Sequence, residues 1–173
     1  PWWGRTGEQM AARVIEQRPT FVRRWGEHLD DHTLLADLEH RLNPCGWQGP
    51  TTVVHSDLHL DNVLFDAAGP IVMDWQTVGC GPGAVDVARW LLESLTLEDR
   101  AVHERDLLTA YVDELGHLTL DDLTAAVRAL TVRMFAGIVC GFANLDPARC
   151  TERQLRLVSA DIVRVSATLL MQG

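Results

Sequence analysis

Three short runs of strand-forming residues, Thr51 to Val54, Val63 to Phe65 and Ile71 to Met73, crowd into one stretch of this chain, and the sequence on both sides carries helical spacing. Strands so few and so short cannot build a sheet-based domain, so the bulk of the core must come from helices. The second and third runs are joined through Asp66, Ala67, Ala68, Gly69 and Pro70, turn-forming residues that predict a β-hairpin.

From Gly7 to Leu42 apolar residues such as Leu34, Leu35, Leu38 and Leu42 recur at helical intervals, which predicts two helices broken near Pro19. Asn43, Pro44, Cys45, Gly46, Gly49 and Pro50 then form a breaker cluster. Gly79 to Gly83 reads as another turn, followed by helices over Val85 to Leu95, Leu97 to Leu115, Asp121 to Leu145 and Thr151 to Met171. The expected fold is mainly α with a small β-hairpin, an α+β domain over residues 1–173. Helices fill 1–43, a loop and hairpin fill 51–76, and a helical subdomain fills 84–173.

Composition narrows the classes of partner. The chain has 173 residues, 47% of them hydrophobic and 23% charged, which suits an ordinary globular protein with its own core. A net charge of -9 argues against nucleic acid, whose binders gather cations on one face. All 15 positive residues are arginine, and there is no lysine. Cys45, Cys80, Cys140 and Cys150 lack CxxC pairing and histidines at zinc-binding distance, so reduced thiols and a cytoplasmic location are expected. The opening Pro1, Trp2, Trp3, with no basic leader, reads as an excised piece. Leu123 to Leu145 is the most membrane-like stretch, but Arg128, Arg133 and Asn144 interrupt it, so a buried helix and no membrane association are expected.

The polar segment between the strands is where chemistry is expected, since loops on a rigid scaffold present reactive groups. It reads His55, Ser56, Asp57, Leu58, His59, Leu60, Asp61, Asn62, with Asp74 and Trp75 after the hairpin. Short polar residues flank strands as turn formers in many proteins. A histidine, aspartate and asparagine at this spacing, then a hairpin and an Asp-aromatic pair in fixed order, are a far more specific signal. The arrangement resembles the catalytic loop and metal-binding strand of kinases. More specifically, it resembles the C-terminal lobe of the aminoglycoside phosphotransferase and choline kinase superfamily. The Asp74, Trp75, Gln76 form is similar to ecdysteroid-kinase-like relatives.

That resemblance implies an ATP- or GTP-dependent kinase that transfers the γ-phosphate to a hydroxyl of a small molecule. Asp57 would accept the hydroxyl proton, and Asn62 with Asp74 would hold Mg2+. The residue types suit the task, because hard magnesium takes oxygen ligands and a hairpin can bring an amide and a carboxylate together, leaving a third acid free as base. His55 would pack under the loop and bond backbone. His59 is open between approaching phosphate or substrate and being a solvated loop residue, with the solvated role preferred. Gly79 to Ala88 resembles the family's stretch that opens a helix with an acid, which would make Asp86 an orienting residue for the loop, or else an ordinary helix cap. The chain departs from the family pattern at Ser56, where glycine is usual, and at Cys80 and Gly81.

A complete kinase also needs an N-terminal lobe with a phosphate-covering loop and a strand lysine. The residues before Val53 read helical, so the resemblance covers only the C-terminal lobe. The isolated chain is then expected to be an inactive fragment whose partner is the missing lobe. Two rivals remain. Asp57, Leu58 and His59 match the opening of metallophosphoesterases, but the later motifs of that class are absent. A non-catalytic docking module would use exposed aromatics such as Trp2 and Trp3, although the retained Asp57, Asn62 and Asp74 speak against it. Glu93, Asp99 and Asp122, in the helices after Asp86, would face a cation or water, with water preferred.

Overall fold

The computed structural model describes residues 4–42 and 50–172; the breaker cluster from Asn43 to Gly49, with Cys45, and the pair Trp2 and Trp3 lie outside the described residues. The elements run α1 (Gly7–Trp25), α2 (Thr33–Ala36), α3 (Leu38–Leu42), β1 (Thr51–Val54), β2 (Val63–Asp66), β3 (Gly69–Val72) and β4 (Gly79–Pro82). They continue with α4 (Ala84–Glu93), α5 (Leu97–Leu115), α6 (Leu120–Phe142) and α7 (Glu152–Met171). The fold is mainly α with a small antiparallel β component. The described chain divides into two compact units, one of residues 50–130 and one combining 4–42 with 131–172.

The second unit is helical and holds a continuous apolar core. Helix α1 starts at a reciprocal cap, in which the Thr6 hydroxyl accepts the Gln9 N–H and the Gln9 side chain accepts the Thr6 N–H. It then runs through Pro19 without the expected break. Proline inside a helix costs roughly 3 kcal/mol. Full burial of Phe21, about 1.5–3 kcal/mol, with Trp25 buried one turn beyond it, offsets that cost. The helix ends at Gly26 instead. Phe135, Ile162 and Leu169 complete this core, and the Trp25 indole N–H donates to the Phe142 carbonyl at 2.9 Å.

The first unit carries both strand pairs. Strands β2 and β3 form the expected hairpin, longer than the sequence suggested, with Val63 opposite Val72 and Asp66 opposite Gly69. Only Ala67 and Ala68 remain as loop, because the Asp66 carboxylate accepts the N–H groups of Ala68 and Gly69 at 2.7 and 3.1 Å. Gly69 sits at φ 127, a conformation that glycine alone adopts readily. The Gly79 to Gly83 cluster, expected as a turn, contains strand β4 instead, antiparallel to β1 with Val54 opposite Gly79 and Thr51 opposite Pro82. Two-strand pairing leaves Pro82 at an edge, where its missing N–H is tolerated. In this unit Val54, Val85, Leu91, Leu92, Leu108 and Leu123 are buried.

Helix α6 is long and apolar enough to cross a membrane, yet 67% of its most apolar window is buried inside the structure, the profile of a core helix. Its Cys140 is buried, and that burial pushes the thiol pKa up, whereas Cys80 is exposed. Iodoacetamide at mildly alkaline pH should therefore label Cys80 well before Cys140, followed by peptide mass spectrometry. Equal labelling of Cys140 in the folded protein would contradict this packing.

Candidate active site

Strand β1 ends at Val54, and the polar loop 55–62 begins with two residues whose backbone is gripped from below. The Asp86 carboxylate, in the first turn of α4, accepts the His55 N–H at 2.7 Å through Oδ2 and the Ser56 N–H at 2.8 Å through Oδ1. Both donors are buried, so they need partners, and an ionised acceptor gives the strongest ones available. Ser56 takes φ 69, a left-handed conformation. The family pattern places glycine there, and this backbone angle is the physical reason. The start of α4 packs closely on α5, where a side chain at Gly83 would collide with the Tyr111 hydroxyl. Burial, and secondarily the negative charge of Asp86, pushes the Tyr111 pKa up, so that hydroxyl stays neutral.

His55 ties the loop to the far end of the hairpin. It is buried, its Nε2 lies 2.7 Å from the Met73 carbonyl, and its ring meets Trp75 edge-on at 4.7 Å between centroids. A carbonyl only accepts, so Nε2 carries the proton and Nδ1 is free to accept the Asp57 N–H at 3.3 Å. Thr77 closes the same junction by donating to the His55 carbonyl at 2.8 Å. The other side of Met73 belongs to Asn62, whose carbonyl accepts the Met73 N–H at 2.8 Å. Asp74 therefore leaves a residue bonded on both sides to the loop, and it too is left-handed, at φ 58. Among the described residues Ser56 and Asp74 are the only non-glycine residues with positive φ. Such strain costs about 1–3 kcal/mol each and concentrates at functional sites.

The Asn62 amide nitrogen donates to the Asp57 carbonyl at 2.8 Å and lies 3.4 Å from Asp57 Oδ2 and 3.2 Å from His59 Nε2. Committing the nitrogen this way leaves the amide oxygen as the group it can offer to a cation. Two of these side chains have partners that the sequence did not show. His59 is drawn into the loop, with its side chain 23% exposed and Nε2 3.8 Å from Asp57 Oδ2, because Asn62 and Asp57 offer it polar partners that compete with water. Asp57 has a partner as well. Its Oδ1 is paired with Arg89 at 2.7 Å, and Arg89 reaches on to Glu93 at 3.1 Å. Glu93 thus faces a guanidinium one helical turn away rather than water. Asp99 and Asp122 each bond a threonine that caps their own helix.

Over residues 1–149 the sequence matches the phosphotransferase enzyme family, APH. The chain belongs to that family. No curated protein and no solved structure matches it.

In this phosphotransferase chain the donor set near the loop is oxygen-rich: the Asn62 amide, the Asp74 carboxylate and the Asp57 carboxylate. Among the described residues no group of three His, Cys, Asp or Glu side chains is arranged to hold a metal ion. Two oxygen ligands suit magnesium all the same, which keeps several waters and takes the rest of its shell from substrate phosphates. Arg89 and Ser94, whose hydroxyl accepts the Leu60 N–H at 3.1 Å, escaped sequence reasoning. The signal for Arg89 was its spacing, three residues after Asp86 and four before Glu93.

Asp86→Ala should cost roughly 3 kcal/mol, since two bonds to a charged group at about 1.5 kcal/mol or more apiece are lost. Asp86→Asn, which keeps one acceptor, should cost about half of that. Urea unfolding followed by circular dichroism measures both, and a neutral Asp86→Ala would show that the loop is held by something else.

Proposed function

We propose that this chain supplies the catalytic loop of a kinase that moves the γ-phosphate of ATP or GTP to a hydroxyl of a small molecule. Membership of the phosphotransferase family supports the reaction type. The observation that carries the rest is the gathering of Asn62 against Asp57, with the residue before Asp74 bonded to both His55 and Asn62.

In this reading Asp57 takes the proton of the acceptor hydroxyl as its oxygen forms the new P–O bond and the bond to the leaving β-phosphate oxygen breaks. Asn62 and Asp74 would hold Mg2+, which when bound neutralises charge on the phosphates. His55 keeps the loop in register with the hairpin and touches no substrate. His59, directed at Asp57 and Asn62, would approach an incoming phosphate in this reading. The protein's share of the rate comes from positioning these groups, worth far more than any single contact.

A partner lobe is part of the proposal. Phe65 is 68% exposed and Trp75 48%, and Leu64, Ile71, Met73 and Val78 are exposed with them. A nucleotide-covering lobe packed on this apolar hairpin would bury them and add the basic phosphate contact that a lysine gives other kinases. Free thiols at Cys80, Cys140 and Cys150 support a cytoplasmic setting.

The test is ADP release by the protein that carries this chain, assayed against a panel of small alcohols. Asp57→Ala should lower turnover by about 10²- to 10⁴-fold, the range for general-base catalysis. Asn62→Ala and Asp74→Ala should raise the Mg2+ concentration needed for half-maximal rate. Unaltered turnover in Asp57→Ala would overturn the reading.

A further inference from the structure

Helix α4 turns one stripe of side chains toward the loop. Asp86, Arg89 and Glu93 follow one another at intervals of three and four residues, the spacing that keeps them on one face. Asp86 holds the loop backbone at His55 and Ser56, while Arg89 holds the side chain of the next residue, Asp57. Glu93 steadies Arg89 from behind, and Ser94, just past the helix end, takes the Leu60 N–H.

From this geometry we infer that Arg89 is a positioning residue for the transfer reaction, anchoring Asp57 by Oδ1 and so dedicating Oδ2 to the acceptor hydroxyl. The inference rests on the kinase reading above and names which oxygen of the base reacts. Oδ1 lies 2.7 Å from the Arg89 Nη2, too close to admit a substrate hydroxyl between them. Oδ2 points the other way, toward the Asn62 amide at 3.4 Å and His59 Nε2 at 3.8 Å, the side on which the proposed metal ligand stands.

The terminal torsion of an aspartate is broad and roughly two-fold, so an untethered carboxylate swings and exchanges its oxygens. A charge-assisted bond to one oxygen removes that freedom. Arg89 is not placed for stability alone. Its Nε is buried and without a hydrogen-bond partner, and an unmade bond at a buried donor opposes folding. Apolar residues commonly replace half-buried ion pairs without loss of stability. Holding the base in one orientation gives the arginine a use that offsets this cost.

The experiment compares Arg89→Met, Arg89→Lys, Asp57→Asn and the double variant Asp57→Asn/Arg89→Met, in the protein that carries this chain, with Mg2+, ATP and the best alcohol acceptor. Arg89→Met should lower kcat by about 10²-fold, the scale for a misplaced reacting group, with the KM for ATP unchanged. Arg89→Lys should recover part of the rate, and guanidinium ion at sub-denaturing concentration should rescue Arg89→Met but not Asp57→Asn. The double variant should be no slower than Asp57→Asn, because the arginine acts only through that carboxylate. Full kcat in Arg89→Met, a loss that multiplies in the double variant, or a failure of guanidinium rescue each overturns the inference while leaving the kinase reading intact. If Arg89→Met does not fold, Arg89→Lys decides, with a lowered kcat at unchanged ATP KM counting for the inference and an unaltered kcat, or a rise in ATP KM alone, counting against it. Full turnover in Asp57→Asn is the distinct outcome that removes the kinase reading and the role of Arg89 with it.

Discussion

A single carboxylate, that of Asp86, takes the N–H groups of His55 and Ser56, and the remaining geometry of the loop hangs on those two bonds. They bend the chain sharply as it leaves β1, with Ser56 forced into a left-handed conformation. Because both donors are buried, water cannot replace the acceptor, and each bond is strengthened by the charge it carries. The loop is therefore held by an anion in the first turn of α4, where the helix dipole also favours negative charge.

From that anchor two chains of contacts run outward within the same unit. One passes through the His55 ring to Met73 and Trp75, and through the Asn62 carbonyl back to Met73, so the hairpin end is bonded to the loop at two points. The other passes through Asp57 to Arg89 and Glu93. The two differ in physical character. The first is built of short, directional bonds to backbone groups, which fix position. The second is a chain of half-buried charges, weak as a source of stability but able to set the orientation of one carboxylate.

How far all this could be read from the sequence depends on whether a residue's partner is local. The hairpin, the four long helices after Gly83 and the order of His55, Asp57, Asn62 and Asp74 follow from period, turn chemistry and spacing. The backbone role of His55 and the loop contact of Asp86 came through the family resemblance, and the structure supplies the bonds. Strand β4 was missed because Gly79, Gly81 and Pro82 look like a turn, and only pairing with the distant β1 makes them extended. Pro19 reads as a helix breaker in the sequence because the burial of Phe21 and Trp25 that outweighs it is a tertiary effect. The same holds for His59 and Arg89: each is an ordinary polar residue until the fold sets Asp57 beside it.

Whether the loop and hairpin form one cation and phosphate site, as proposed, can be read by paramagnetic relaxation. Mn2+ with ATP, added in substoichiometric amount to the isotope-labelled chain, broadens amide signals near the ion even when binding is weak. Selective loss is expected at Asp57, Asn62, Met73, Asp74 and Trp75, reversed by excess Mg2+. Broadening confined to surface acids such as Asp121, Asp122 and Glu152, with the loop untouched, would contradict the proposed site.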